Sequence, residues 1–505
     1  MPSTLTPAPN TTEQAGREPA GRLRHIADLP GPRGLPLLGN ALQVDMPRFH
    51  QQLEQWAREF GPYYRLRLGP RLLLVVADHE AIATMLRDRP DGFRRTSRLE
   101  EIGREMGLLP GVFGVNGEAW KRQRRMVMAG FDPAHVKSYF PSLLKVTQRL
   151  GGRWQKVAQA QTPSGTRSAQ PIDLQADLMR FTVDAIAGLA FGADVNTLES
   201  DEDIIQRHLD GIFPALQRRL FASVPLWRYL KLPADRALDK SMVEVNAAVS
   251  AFIAQARARL QASPALREHP NNLLEAMIVA ADQEAGLIHD DEVAGNVMTM
   301  LLAGEDTTAN TLAWMIYLLS RHPAAMARAT EEVRRVAPDT TALTLEQMGQ
   351  LDYVEACAHE TMRLKPVAPQ LAQQALRDTR VGDVHVPSGS VVISLLRHDS
   401  VSEQHVPRAA AFEPERWLAE GGPARLAASA RRTSMPFGAG PRMCPGRYLA
   451  LLEMKMAMAL LLGRFDILGV DTPDGLEARE ALALTMAPVG LSLRLREREH
   501  VQERG

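Results

Sequence analysis

Cysteine occurs twice in this 505-residue chain, at Cys357 and Cys444. The second stands in "FGAGPRMCPG" (437–446), where the pattern is Phe437-x-x-Gly440-x-Arg442-x-Cys444-x-Gly446. Gly438 and Gly440 permit turns that a Cβ would forbid, and Pro445 suits the first position of a helix. The run "GRYLALLEMKMAMALLLGRF" that follows has helical periodicity. Cys444 is therefore expected at a helix amino terminus, where free N–H groups and the positive dipole end stabilise a thiolate. Gly446 leaves room for a flat ligand to approach the backbone. A lone cysteine is often just a small buried hydrophobe, but the fixed offsets around this one argue for a working sulfur. Two cysteines cannot build a disulfide framework or a four-thiolate metal site.

Three more constellations precede that loop. "HETMRL" (359–364) puts Glu360 and Arg363 on one helical face, and "FEPERW" (412–417) adds Arg416. Exposed pairs of this spacing are common and weak. "DDEVAGNVMTMLLAGEDTTANTLAWMIYLLSRHP" (290–323) predicts one long helix with Asp290 as N-cap and Pro323 beyond its end. Val293, Val297, Met300, Leu301, Gly304, Thr308, Leu312, Met315 and Leu319 form its apolar stripe. Its middle, "AGEDTT" (303–308), is made of poor helix formers. Threonine hydroxyls can bond back to carbonyls one turn earlier, which tolerates the cluster without explaining it. "WKRQRR" (120–125) sets Trp120 and Arg124 four apart, a spacing that an ordinary basic face would also give.

In this order the four motifs resemble those of the cytochrome P-450 superfamily, over the chain from Leu29 to its end. The resemblance implies haem b as cofactor, with Cys444 as axial iron ligand and Phe437 shielding its sulfur. Arg442, Trp120 and Arg124 would meet the haem propionates, and Gly446, Ala303 and Gly304 would border the haem. Glu360, Arg363 and Arg416 would form a structural cluster behind it. Asp306 and Thr307 match the acid–alcohol pair that delivers protons to dioxygen beside a local opening of the helix. The family often has a propionate-binding arginine after "RLKPVAP", but here "QLAQQALRD" places Gln373 and Gln374, so no propionate partner is assigned there. Family position suggests a substrate pocket from Met106, Leu109, Phe113, Phe213, Met300, Ala303, Val367 and Met486, mostly aliphatic, which expects a hydrophobic small molecule.

The implied activity is monooxygenation: one atom of O2 enters a C–H or C=C bond and the other leaves as water. A peroxide-using peroxygenase of the same fold and a non-enzymatic haem-binding sensor are the alternatives. Electrons would come from NAD(P)H through a separate ferredoxin or flavodoxin and its reductase, because only 61 residues follow Cys444. Lys121, Arg122, Arg125, Arg431, Arg432 and Arg447 would attract such an acidic donor.

The elements that must position these groups are mainly helical. The chain reads as mainly α with small β-sheets: helix near 46–60, strand–turn–strand over 63–78, helices from about 80 to 365, and strands at 380–396 and 481–497. Loops are expected at 106–117, 161–171 and 223–233. Residues 1–28 read as a flexible polar tail and 29–505 as one domain. Lys+Arg and Asp+Glu are equal at 59 each, which argues against nucleic acid as partner. No apolar run reaches the length of a membrane anchor, so a cytoplasmic enzyme is expected.

Overall fold

A computed structural model describes residues 23–498, apart from 132, 160–169, 201–210, 223–224, 285–287 and 419–423. The expected 161–171 loop lies almost wholly outside the described residues, as does part of 223–233. Order begins earlier than Leu29. Arg24–His25 pairs in parallel with Val384–His385, and Ile26 and Leu29 bury against Leu74 and Val76. Burial of those two apolar side chains is the reason that the expected tail stops short of residue 28.

Among the described residues the fold is mainly helical with four small sheets. The largest has the strand order Tyr63–Leu68, Arg71–Val76, Val391–Leu395, Gln370–Ala375, Phe93–Arg95. Its first hairpin is the expected one, with Leu66 opposite Leu73. Among the strands that escaped the sequence reading are Gln370–Ala375 and Phe465–Asp471. Both are short stretches in which polar residues or glycine dilute the alternation.

One long helix, Asp290–Arg321, organises the rest, and it packs most extensively against Leu174–Ile186. Its N-cap is His289, not Asp290, and Glu292 returns a bond to the His289 amide at 3.2 Å. Pro323 begins the next helix. Two apolar cores share the long helix. Val293–Leu302 contributes Val293, Val297, Met300 and Leu301 to one core, and Leu312, Trp314 and Met315 belong to the other. "AGEDTT" falls between them. The helix Arg447–Arg464 crosses the same seam, with Leu449 in the first core and Leu452 to Leu462 in the second. The polar segment and the cysteine loop thus both sit where two hydrophobic cores meet.

A buried ionic cluster fixes the approach to the cysteine loop. Glu360 and Arg363, on the helix Asp352–Leu364, are fully buried. Arg363 grips Glu360 with two bonds, at 2.8 and 2.7 Å. Arg416 reaches the same carboxylate at 3.3 Å, and the Trp417 indole donates to it at 2.9 Å. Arg363 also donates to the carbonyls of Ser400, Ala409 and Ala411, at 2.7 to 2.9 Å. One arginine therefore holds an irregular segment that has few strand partners of its own. With Glu413 bound to Arg416, two carboxylates balance two guanidiniums, as buried charge requires. Glu360→Ala leaves Arg363 buried without its carboxylate, while Arg416 keeps only Glu413. It is expected to cost about 3–5 kcal/mol, read as a lower denaturant midpoint; an unchanged midpoint would make this an ordinary surface bridge.

Candidate functional site

Turn geometry places Cys444. Gly438 and Gly440 take positive φ, +72° and +69°, and a Cβ on Gly440 would lie 2.5 Å from the Leu86 carbonyl oxygen. The Cys444 amide closes the turn onto the Phe437 carbonyl at 2.9 Å. The helix begins at Arg447 with Gly446 as N-cap, so Pro445 lies just before the cap and not at the first helical position. A Cβ on Gly446 would sit 3.9 Å from the Cys444 sulfur.

Cys444 is exposed by area, yet surrounding protein desolvates it and raises its pKa. The two facts together describe a sulfur facing an internal hollow. The Gly446 amide, Arg124 and Arg447 pull the pKa the other way but do not prevail. The helix terminus favours the thiolate as expected, but burial outweighs it, and a bound cation would shift the balance toward the thiolate. Cys357 is fully buried and its pKa is also raised by burial, so it offers no accessible sulfur.

Beside the loop lies a group of cations short of anions. Arg442 stacks over the Trp120 ring at 4.9 Å and donates to the Asn116 side chain and the Val115 carbonyl. Its pKa falls to about 9, through burial and then the charges of Arg95, Arg89 and Arg124, with Glu100 the opposing carboxylate. Burial likewise lowers Arg89 to about 9 and Arg95 to about 10. The Nε atoms of Arg95 and Arg442 are buried without a partner. Arg124 instead donates to the Met443 carbonyl at 2.8 Å, steadying the residue before the cysteine. Such a group fits the two carboxylates of a haem, which would satisfy its charge and its open donors.

Arg95 was missed by sequence reasoning. It pairs across the sheet with Gln373, whose Nε2 is also buried and unpartnered. The strand that lacks the family arginine thus has one directly opposite; the run "FRRTSR" (93–98) was the available signal. Gln374 is engaged elsewhere, with the Ser97 amide and the Gly389 carbonyl.

On the long helix, Ala303 is exposed and Gly304 half-buried. A Cβ on Gly304 would come within 3.2 Å of Ile186, so this glycine lets Leu174–Ile186 approach closely. The helix runs unbroken through 303–308, without the expected local opening. Thr307 Oγ1 donates to the Ala303 carbonyl at 2.6 Å, the backbonding anticipated for such a cluster. Asp306 is held by Asn310 Nδ2 at 2.8 Å and by the Thr485 hydroxyl. Burial raises its pKa despite both bonds. Thr485 sits at the tip of the hairpin Glu480–Pro488, beside Leu484 at φ +73°.

A second acid near this point was also missed. Glu453, on Arg447–Arg464, is buried and bonded to Thr308, and burial pushes its pKa up to about 8. A glutamate in an apolar helix run, nine residues after Cys444, was its only trace in the sequence.

The pocket residues divide. Met106, Leu109, Phe213 and Met300 share one apolar cluster, and Val367 is half-buried. Phe113 is partly exposed beneath the Arg95 guanidinium, 4.2 Å from its ring centre. Met486 departs from expectation: it is fully buried in the other core, with its sulfur 3.7 Å from Arg397 Nη1.

The family pattern described as Cytochrome P-450 matches residues 29–493. Among curated relatives, a self-sufficient cytochrome P-450 monooxygenase of Exserohilum turcicum is 28% identical over 94% of this chain but 43% of its own length. Thromboxane-A synthase of Rattus norvegicus is 28% identical over 91% of both chains. A crystal structure of a mutant cytochrome P-450DA heme domain superposes with a TM-score of 0.78, at 25% identity, covering 93% of this chain and 98% of that one.

The Glu453 carboxyl keeps its proton in the fold up to about pH 8, whereas the unfolded chain releases it near 4.3. Between those values the folded state binds more protons, so this residue's contribution to stability falls as pH rises. Glu453→Gln should therefore gain thermal midpoint over the parent progressively from pH 5 to pH 8. A gain independent of pH would contradict the raised pKa.

Proposed function

Because this chain belongs to the cytochrome P-450 family and is an enzyme of its monooxygenase class, we propose that it uses O2 to hydroxylate or epoxidise a hydrophobic small molecule. The observation that supports this reading is the seam itself. Thr308, next to the Asp306–Thr307 pair, bonds Glu453 on the helix that follows Cys444 where two apolar cores meet, and the unneutralised arginine group lies beside the accessible sulfur. Haem held by Cys444, with Arg442, Arg95 and Trp120 toward its carboxylates, would supply the redox and oxygen-binding chemistry.

The chain's own residues supply the proton chemistry. The Thr307 hydroxyl hydrogen is committed to the Ala303 carbonyl, so its oxygen is free to accept from a proton-bearing water. Asp306, its pKa raised by burial, holds a proton closer to neutral pH than an exposed aspartate and can reload that water. Thr485 stabilises the carboxylate form and so tempers the shift. The apolar cluster around Met300 and Phe213 keeps bulk water away.

Electrons come, in this reading, from NAD(P)H through a separate ferredoxin or flavodoxin, in the cytoplasm; no described helix is long and apolar enough to cross a membrane. The expected basic face is partly neutralised. Lys121 pairs with Glu118 at 2.8 Å and Arg125 with Glu284 at 3.1 Å. Arg432 lies 3.9 Å from Glu80, so donor docking then rests on Arg122, Arg447 and Arg431, which among the described residues meets only the Trp417 carbonyl.

Thr307→Ala should still consume NAD(P)H but divert it, with product per electron pair falling and hydrogen peroxide rising. Asp306→Asn should slow turnover roughly 100-fold. Tight coupling in Thr307→Ala would remove its assigned role. Strong peroxide-driven turnover of the parent, insensitive to Thr307, would indicate a peroxygenase, and no product under any condition a haem sensor.

A further inference from the structure

Away from the cysteine loop, the described residues hold one group with metal-ligand chemistry: His79, Asp399 and His405, with one ligand atom of each within 4.8 Å of the others. His79 opens the helix His79–Arg87. Asp399 and His405 lie on the irregular segment whose Ser400, Ala409 and Ala411 carbonyls bind Arg363.

Asp399 Oδ2 lies 2.7 Å from His79 Nδ1 and 3.6 Å from His405 Nε2. These separations bracket the edge of about 3.3 Å between ligands of a tetrahedral ion with bonds near 2.0–2.1 Å. The other oxygen, Oδ1, is held by His398 Nδ1 at 2.9 Å, and the His79 amide donates to Oδ2 at 2.9 Å. The carboxylate is thus oriented from both sides before any ion arrives. His79 and Asp399 are buried, while His405 is 30% exposed, which leaves a way in from solvent. His79 Nε2, across the ring from Nδ1, is buried without a hydrogen-bond partner and lies 3.9 Å from Glu80 Oε1. Ligation through Nδ1 would move the ring proton to Nε2, opposite that carboxylate, where it steadies the ring.

We propose that His79, Asp399 and His405 bind a divalent transition ion, with zinc the best match to two imidazoles and one carboxylate and water in the fourth position. The ion ties the start of the His79 helix to the segment gripped by Arg363. Its role is structural, and by mass action it stabilises the fold in proportion to its occupancy.

The haem-loaded full chain, dialysed against zinc, should carry one zinc per chain, counted by mass spectrometry separately from iron. His405→Ala should lose that zinc. His398→Ala, which frees only the outer oxygen of Asp399, should weaken it roughly 10- to 100-fold. His385→Ala, in the separate His25–His385 ring pair, should leave it unchanged. Zinc should raise the thermal midpoint of the parent and not of His405→Ala. A hydrogen-bonded cluster that takes no ion would give equal zinc counts and equal midpoints in the parent and His405→Ala, and that result would overturn the site.

Discussion

Burial raises the pKa of the Cys444 thiol, so a sulfur facing this hollow calls for a cation to favour its thiolate. That constraint governs the molecule. The amide of Gly446 and the charges of Arg124 and Arg447 oppose burial at Cys444 but do not overcome it. The same holds for the neighbouring arginines, which burial and mutual repulsion push toward neutrality. Thiol and guanidiniums are complementary halves of one demand: a cation for the sulfur and anions for the arginines. A haem, with its iron and two carboxylates, meets both.

Everything that supports this site serves to hold irregular backbone still. The cysteine loop has little regular structure, so its shape depends on two left-handed glycines and on the Cys444 amide bonded to Phe437. Upstream, Arg363 gathers three carbonyls of a segment that would otherwise wander, and Glu360 holds Arg363. The His79–Asp399–His405 group fastens the same segment from its other side. Buried ionic devices occur here because the backbone cannot satisfy itself in sheets or helices.

Residues whose role is set by local spacing were legible in the sequence. Glu360 and Arg363, three apart on one helix, meet as their spacing predicted, the long helix spans Asp290–Arg321, and Arg416 joins the pair as the family resemblance implied. What could not be read depends on pairing between distant segments. Arg95 gains its position from a ladder with Gln373, and Thr485 reaches Asp306 across 179 residues. Glu453 looked like one more helix residue until the seam between cores buried it. The unbroken helix at "AGEDTT" and the turned-away Met486 show that motif spacing places a residue on an element without fixing the local backbone or the direction of its side chain.

Thiolate ligation is tested most directly by the reduced carbon-monoxide spectrum of two cysteine variants beside the parent. The parent and Cys357→Ser should share the red-shifted band that a thiolate donor gives, and Cys444→Ser should lose it, since a hydroxyl is a poor electron donor to iron. Retention of the band in Cys444→Ser, or its loss in Cys357→Ser alone, would contradict the assignment of Cys444 as the iron ligand.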